Sequence, residues 1–280
     1  MKTVKKIIAS EKKNLGPKQF VMSPLPNQWV GQISPFIMLD HFGPKYIPAG
    51  EPFFVPPHPH RGFAPVTILF EGEVEHKDSV GNIGRIKGGD VQWMTAGSGV
   101  VHSEGAPASF SETGGNLHLI QLWINLPASH KMTAPSYQEI KSSSIPVLQE
   151  GNAQVRVIAG AYKNLEGPAK TFSPVSLLHV IVPEGEEIKI EVAKGFNASY
   201  YLTKGETMVD QYEVPEQHLV WLSEQGDSIT IKAIRDAELL FMAGEPINEP
   251  LVSYGPFVMN SKTEIIQAIH DYENGLMGTL

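Results

Sequence analysis

The patterns His58-Pro59-His60 and His102-Ser103-Glu104 constrain this chain more than anything else in it. Residues i and i+2 of an extended strand point to the same face. Each pattern therefore presents two ligand-type side chains together. If the two segments are neighbouring strands of a closed sheet, all four side chains meet inside it. Three neutral imidazoles and one carboxylate suit a borderline divalent metal ion and are poorly chosen for Ca²⁺ or Mg²⁺. A lone histidine is ordinarily a surface residue or a satisfied core residue. Two such pairs flanking a segment rich in hairpin signals point instead to a metal centre.

The intervening residues support the strand reading. Pro59 lacks a backbone donor and fixes φ, so it belongs at a strand start or edge. From Val66 to Asp78 the chain alternates. Val66, Ile68, Phe70 and Val74 lie on one face and Glu71, Glu73 and Glu75 on the other. The three glutamates face away from the apolar side, which predicts a solvated strand exterior. Turn chemistry follows at Val80–Gly84 and Lys87–Asp90, and the bend Ala96-Gly97-Ser98-Gly99 delivers His102 and Glu104. Earlier, Phe36–Pro44 reads as a buried strand entering a turn, with Asp40 capping the turn beside a surface His41. Gly16-Pro17 reads as another turn. The run Leu117–Leu126 is apolar on both faces, as in a sandwich or barrel, with His118 as a hydrogen-bonded core histidine.

Composition narrows the function classes. The absence of cysteine removes disulfides, thiolate zinc sites, iron–sulfur clusters and cysteine nucleophiles, and suits a reducing compartment. A net charge of −8 argues against direct binding of a nucleic-acid backbone. The start of the chain is basic without a sustained apolar run, and no apolar stretch is long enough to span a membrane. The protein is expected to be soluble and cytoplasmic.

The second half repeats the style of the first. Candidate strands are Val155–Gly160, Leu177–Val182, Glu187–Val192, Ala198–Leu202, Leu219–Leu222, Ser228–Ala233 and Glu238–Met242, with turns at Pro183-Glu184-Gly185 and Lys204-Gly205. This half lacks a His-x-His or His-x-Glu pair, since His179 and His218 stand alone. It reads as metal-free. Ser261–Asn274 has Ile265, Ile266, Ile269 and Tyr272 at helical spacing behind a Ser261-x-x-Glu264 capping box, which predicts an amphipathic helix packed over a sheet. The expected organisation is a metal-binding domain over 1–130, a linker over 131–145, and a metal-free domain over 146–280 that carries the helix.

Three segments together resemble the pirin family: His58-Pro59-His60-Arg61-Gly62-Phe63, Glu71-Gly72-Glu73-Val74-Glu75-His76-Lys77-Asp78 and Gly97-Ser98-Gly99-Val100-Val101-His102-Ser103-Glu104. Leu119–Pro127 and Gly255-Pro256-Phe257-Val258-Met259-Asn260 are similar to pirin segments as well. The resemblance implies an all-β, two-domain member of the cupin superfamily, with two jelly-roll barrels facing each other. It also implies one divalent metal ion, Fe(II), held by His58, His60, His102 and Glu104, and a C-terminal barrel without ligands. The donor set alone would also accept Zn²⁺, Ni²⁺, Cu²⁺ or Mn²⁺. The implied activity is a quercetin 2,3-dioxygenase-type reaction on a small aromatic flavonol with O₂, with Glu104 as the candidate general base. The alternative within the family is an iron and redox-sensing regulator that acts through a protein partner. A metal-binding isomerase or storage cupin is a third reading. By analogy the protein is expected to be a monomer.

Overall fold

A computed structural model of the chain describes residues 1–16, 19–51 and 53–280. The expected turn at Gly16-Pro17 falls partly outside them. Two compact units form, and neither is one continuous stretch of chain. One contains residues 1–40 and 143–246, the other residues 41–142 and 247–280. This differs from contiguous domains over 1–130 and 146–280. The first strand, Val4–Ala9, pairs with His218–Leu222, and the C-terminal helix belongs to the unit that holds His58 and His102. Among the described residues, no helix is long and apolar enough to cross a membrane.

The first unit is built on a sheet whose strands follow the order Val4–Ala9, His218–Leu222, Asn197–Val209, Ser228–Gly244, Val175–Val182, Ala153–Ala159 and Val147–Glu150. Its core contains Val155, Leu178, Val180, Tyr200, Leu239 and Phe241. Two expected strands, Ser228–Ala233 and Glu238–Met242, are one continuous strand here. The expected turn at Lys204-Gly205 is instead a run of three register shifts inside Asn197–Val209. His179 is not alone: its Nε2 is 2.6 Å from Glu238 Oε1 and its Nδ1 is 3.3 Å from an Arg156 guanidinium nitrogen.

The second unit contains two antiparallel sheets. One has the order Phe54–His60, Val100–Gly105, Glu73–Asp78 and Ile83–Lys87. The other includes, side by side, Ser136–Ile140, Val91–Thr95, Phe63–Glu71 and Gly115–Asn125. Phe54–His60 is an edge strand, where Pro59 needs no ladder donor. The alternating run after Val66 breaks at Gly72 (φ 96°) into two strands of different sheets. Its glutamates are solvated as expected, with Glu75 bridging to Lys77 and Arg85 and Glu73 to Lys87.

Three further expectations are corrected. Phe36–Ile47 is one strand that runs through Gly43-Pro44 without turning. Asp40 is therefore no turn cap. Burial raises its carboxyl above the ordinary range, opposed by the Ser23 hydroxyl and by Lys13. His41 is buried at 1% exposure, with Nε2 2.8 Å from Nε2 of His118, the latter a core histidine as expected. Residues 131–145 are not a linker. Ser136–Ile140 adds a strand to the sheet, and the buried Lys131 ammonium donates to Gly62 O (2.8 Å), Asn125 Oδ1 (2.7 Å) and Val258 O (2.9 Å). The C-terminal helix spans Lys262–Glu273 behind an N-cap at Ser261, whose side chain accepts from Glu264 N. Its face packs Ile265, Ala268 and Ile269 on Val101, Phe257 and Met259. Ile266 is 67% exposed.

Candidate metal centre

Strand register brings His58, His60 and His102 into one group and places Glu104 in a second group that shares His102 and adds His76. His102 lies directly opposite His58 on one neighbouring strand and Asp78 on the other. Glu104 lies opposite His76 on one side and, because the register on the other side shifts between His102 and Glu104, opposite Val55 there. The ligand-type nitrogens of His58, His60 and His102 all lie within 4.8 Å of one another, and so do the corresponding atoms of His76, His102 and Glu104. His58 is half-buried, whereas His60, His102 and Glu104 are buried at 3%, 1% and 8% exposure.

The imidazoles are oriented by carbonyl groups. His58 Nδ1 is 2.9 Å from Pro56 O, and His60 Nδ1 is 3.4 Å from Pro256 O. A carbonyl only accepts, so both Nδ1 atoms carry the proton and both Nε2 atoms carry a bare lone pair. Those two Nε2 atoms face each other at 3.1 Å. Neither can donate to the other, so the contact is an acceptor facing an acceptor. His102 Nε2 is also buried and has no hydrogen-bond partner. Burial drives the folded-state pKa of His60 down to about 3, helped by the neighbouring His58, and holds that of His102 well below its ordinary value. Protonation of His60 or His102 is therefore no remedy near neutral pH. A cation is what these convergent nitrogens lack, and the donor set fits a borderline divalent ion.

Glu104 is held from the opposite sheet. Gln92, Thr67 and Gln121 form one rung across three adjacent strands, with Thr67 opposite both glutamines. All three donate to the carboxylate: Gln92 Nε2 and Thr67 Oγ1 (3.5 Å) to Oε1, and Gln121 Nε2 to Oε2 (3.2 Å). Trp123 Nε1 donates to Gln121 Oε1 at 3.2 Å and so fixes the amide's orientation. Its ring stacks on Phe63 at 4.2 Å, and both rings meet the edge of His60. The site thus has an aromatic wall beside a polar rung.

The sequence patterns identified the four central side chains but not Thr67, Gln92, Gln121, His76 or Pro256. The available signal was a polar residue inside an otherwise apolar strand, as in Val91-Gln92-Trp93-Met94 and Leu119-Ile120-Gln121-Leu122. A buried side chain of that kind needs partners. The role of Pro256 had no local signal, because a backbone carbonyl's partner depends on the fold alone.

Comparison with known proteins gives a consistent family. The Pirin family profile matches residues 18–124, and that of the Pirin C-terminal cupin domain matches residues 177–278. A Pseudomonas aeruginosa relative, provisionally named a quercetin 2,3-dioxygenase, is 44% identical over 246 residues, covering 87% of this chain and 86% of its own. The crystal structure of a quercetin 2,3-dioxygenase from Acinetobacter baumannii superimposes with a TM-score of 0.94 at 38% identity, over 100% of this chain and 99% of that one. A bacterial pirin from Escherichia coli, solved in complex with nickel(II), shares the fold with a TM-score of 0.68 at 21% identity, over 86% of this chain and 99% of its own.

Proposed function

Because the chain belongs to the pirin family and carries its two cupin domains, we propose that His58, His60, His102 and Glu104 hold one divalent metal ion, Fe(II), and that this site cleaves a flavonol in a quercetin 2,3-dioxygenase reaction. The observation that carries the reading is the convergence of the two bare Nε2 atoms of His58 and His60 with the imidazole of His102, whose Nε2 is buried and has no hydrogen-bond partner. The close likeness to the quercetin 2,3-dioxygenase from Acinetobacter baumannii supports the substrate class.

When bound, the metal supplies a Lewis acid for the 3-hydroxyl and 4-carbonyl edge of the flavonol and a meeting point with O₂. The other tasks fall to the chain. Glu104 is the nearest carboxylate and takes the 3-hydroxyl proton. Gln92, Thr67 and Gln121 hold that carboxylate in one orientation, so its basic lone pair is aimed before substrate arrives. The Phe63–Trp123 stack gives the site a flat apolar wall suited to a planar aromatic ligand. The overall change inserts both atoms of O₂ and releases the ring carbon between the two cleaved bonds as carbon monoxide.

The test is anaerobic reconstitution with Fe(II), followed by oxygen uptake and carbon monoxide release with quercetin. Wild type should consume O₂ and release carbon monoxide in equal amounts, and His58→Ala should lose both metal and turnover. Stoichiometric iron without oxygen uptake would overturn the enzyme reading and favour an iron-dependent regulator acting on a protein partner.

A further inference from the structure

We propose that His76 and Tyr137 are positioning residues that lock His102 and Glu104 relative to each other; the inference rests on the metal-centre reading above. Neither residue belongs to the predicted ligand set, and Tyr137 lies in the segment whose sequence resembles a linker.

Asp78 is a buried carboxylate pinned by its own turn. Its Oδ1 accepts from Val80 N (3.1 Å) and Asn82 N (2.9 Å), and its Oδ2 accepts from Asn82 Nδ2 (2.8 Å). The same Oδ2 is 3.2 Å from His76 Nε2. A carboxylate only accepts, so neutral His76 carries its proton on Nε2 and leaves Nδ1 bare. His76 Nδ1 lies 3.3 Å from His102 Nδ1, so His102 must donate from Nδ1. Its Nε2 is then the bare nitrogen, and that is the buried atom without a partner. Asp78 and His76 thus set the tautomer of His102 as Pro56 and Pro256 set those of His58 and His60.

Tyr137 ties this arm to Glu104. Its ring stacks on His76 at 4.6 Å with a 17° interplanar angle. Its hydroxyl is 3.1 Å from Gln92 Oε1. Gln92 must turn its amide nitrogen toward Glu104, because an amide oxygen facing the carboxylate would repel it. The hydroxyl of Tyr137 therefore donates to Gln92 Oε1 and fixes the amide that holds Glu104. Space is reserved for it: Gly84 lies opposite His76, and a Cβ on Gly84 would fall on the Tyr137 hydroxyl.

The probe is Co(II), read by its visible absorption and by competition affinity, with folding checked by circular dichroism. His76→Phe keeps a ring under Tyr137 but removes the acceptor. It should weaken Co(II) binding at least ~10-fold and alter the spectrum. His76→Gln offers an amide oxygen to His102 Nδ1 and should recover most of that loss. Tyr137→Phe removes one hydroxyl and should change the spectrum with a smaller loss of affinity, which decides the matter even if His76→Phe does not fold. His76→Phe or Tyr137→Phe with the affinity and spectrum of wild type would overturn the proposal. So would wild type binding two Co(II) per chain with His76→Phe binding one, since His76 would then be a ligand. Wild-type protein that binds no Co(II) would instead overturn the metal-centre reading, a distinct result.

Discussion

His60 shows how a single carbonyl decides the chemistry of a side chain. Pro256 O occupies the direction of Nδ1, so the lone pair can only appear on Nε2. Burial then keeps the ring neutral. This has a pH signature with a definite sign. The folded pKa is about 3, below the ordinary 6.5 of the unfolded chain. Between those values the unfolded state binds a proton that the folded state refuses. In metal-free protein the contribution of this residue should therefore be fully present above pH 6.5 and be lost as pH falls toward 3, by up to about 1.4 kcal/mol per pH unit. Urea midpoints across that range should fall more steeply for wild type than for His60→Phe, and equal slopes would contradict it. Glu104 makes a separate prediction. Glu104→Gln should retain metal with reduced affinity, yet lose turnover per bound iron by about 100-fold, the usual size of a general-base contribution. Equal turnover per iron would remove Glu104 from that role.

At the scale of elements, the C-terminal segment belongs to the unit that holds the candidate ligands. Besides the Pro256 carbonyl, it supplies Asp271, whose Oδ2 is 2.7 Å from an Arg61 guanidinium nitrogen, both side chains being largely buried. Arg61 Nε also donates to Ser98 O at 2.8 Å, joining the residue after His60 to the bend before His102. Gly62 has φ 86°, and a Cβ there would strike Val258 O, so only glycine lets the two segments lie this close. Asp271→Asn should cost ~2 kcal/mol by leaving a buried guanidinium with a weakened partner. It should also loosen metal binding without touching a ligand. Chemical denaturation and Co(II) titration of that variant test both, and unchanged affinity would detach the helix from the site. Little of this arrangement is legible in the sequence. The helix itself is, because Ile265 and Ile269 share a face and Ser261 caps it. Its destination is not, since local periodicity carries no information about partners this remote in the chain. Ser136–Ile140 is missed for another reason: an end strand with mostly half-exposed and exposed residues shows no apolar alternation. The ligand pairs are legible because their meaning needs only the two-residue period of a strand.

At the scale of the whole molecule, two units carry separate cores but unequal chemistry. The predicted ligands all lie in the unit of residues 41–142 and 247–280. A ligand that binds only the folded state stabilises it in proportion to its occupancy, by about 2.7 kcal/mol at a hundredfold excess over Kd. Chelation should therefore speed amide hydrogen exchange in Val100–Gly105 and leave Asn197–Val209 nearly unchanged; equal effects in both strands would show that the metal stabilises the molecule globally or binds elsewhere. The proposed site is more local than any of these effects: His58, His60 and His102, each presenting a bare Nε2, would hold one ion together with Glu104. X-ray absorption of the Fe(II)-loaded protein tests it most directly. The account predicts one iron per chain, with three imidazole nitrogens and at least one oxygen in its shell. One iron bound by two imidazoles or fewer, or bound unchanged in His58→Ala, would contradict it.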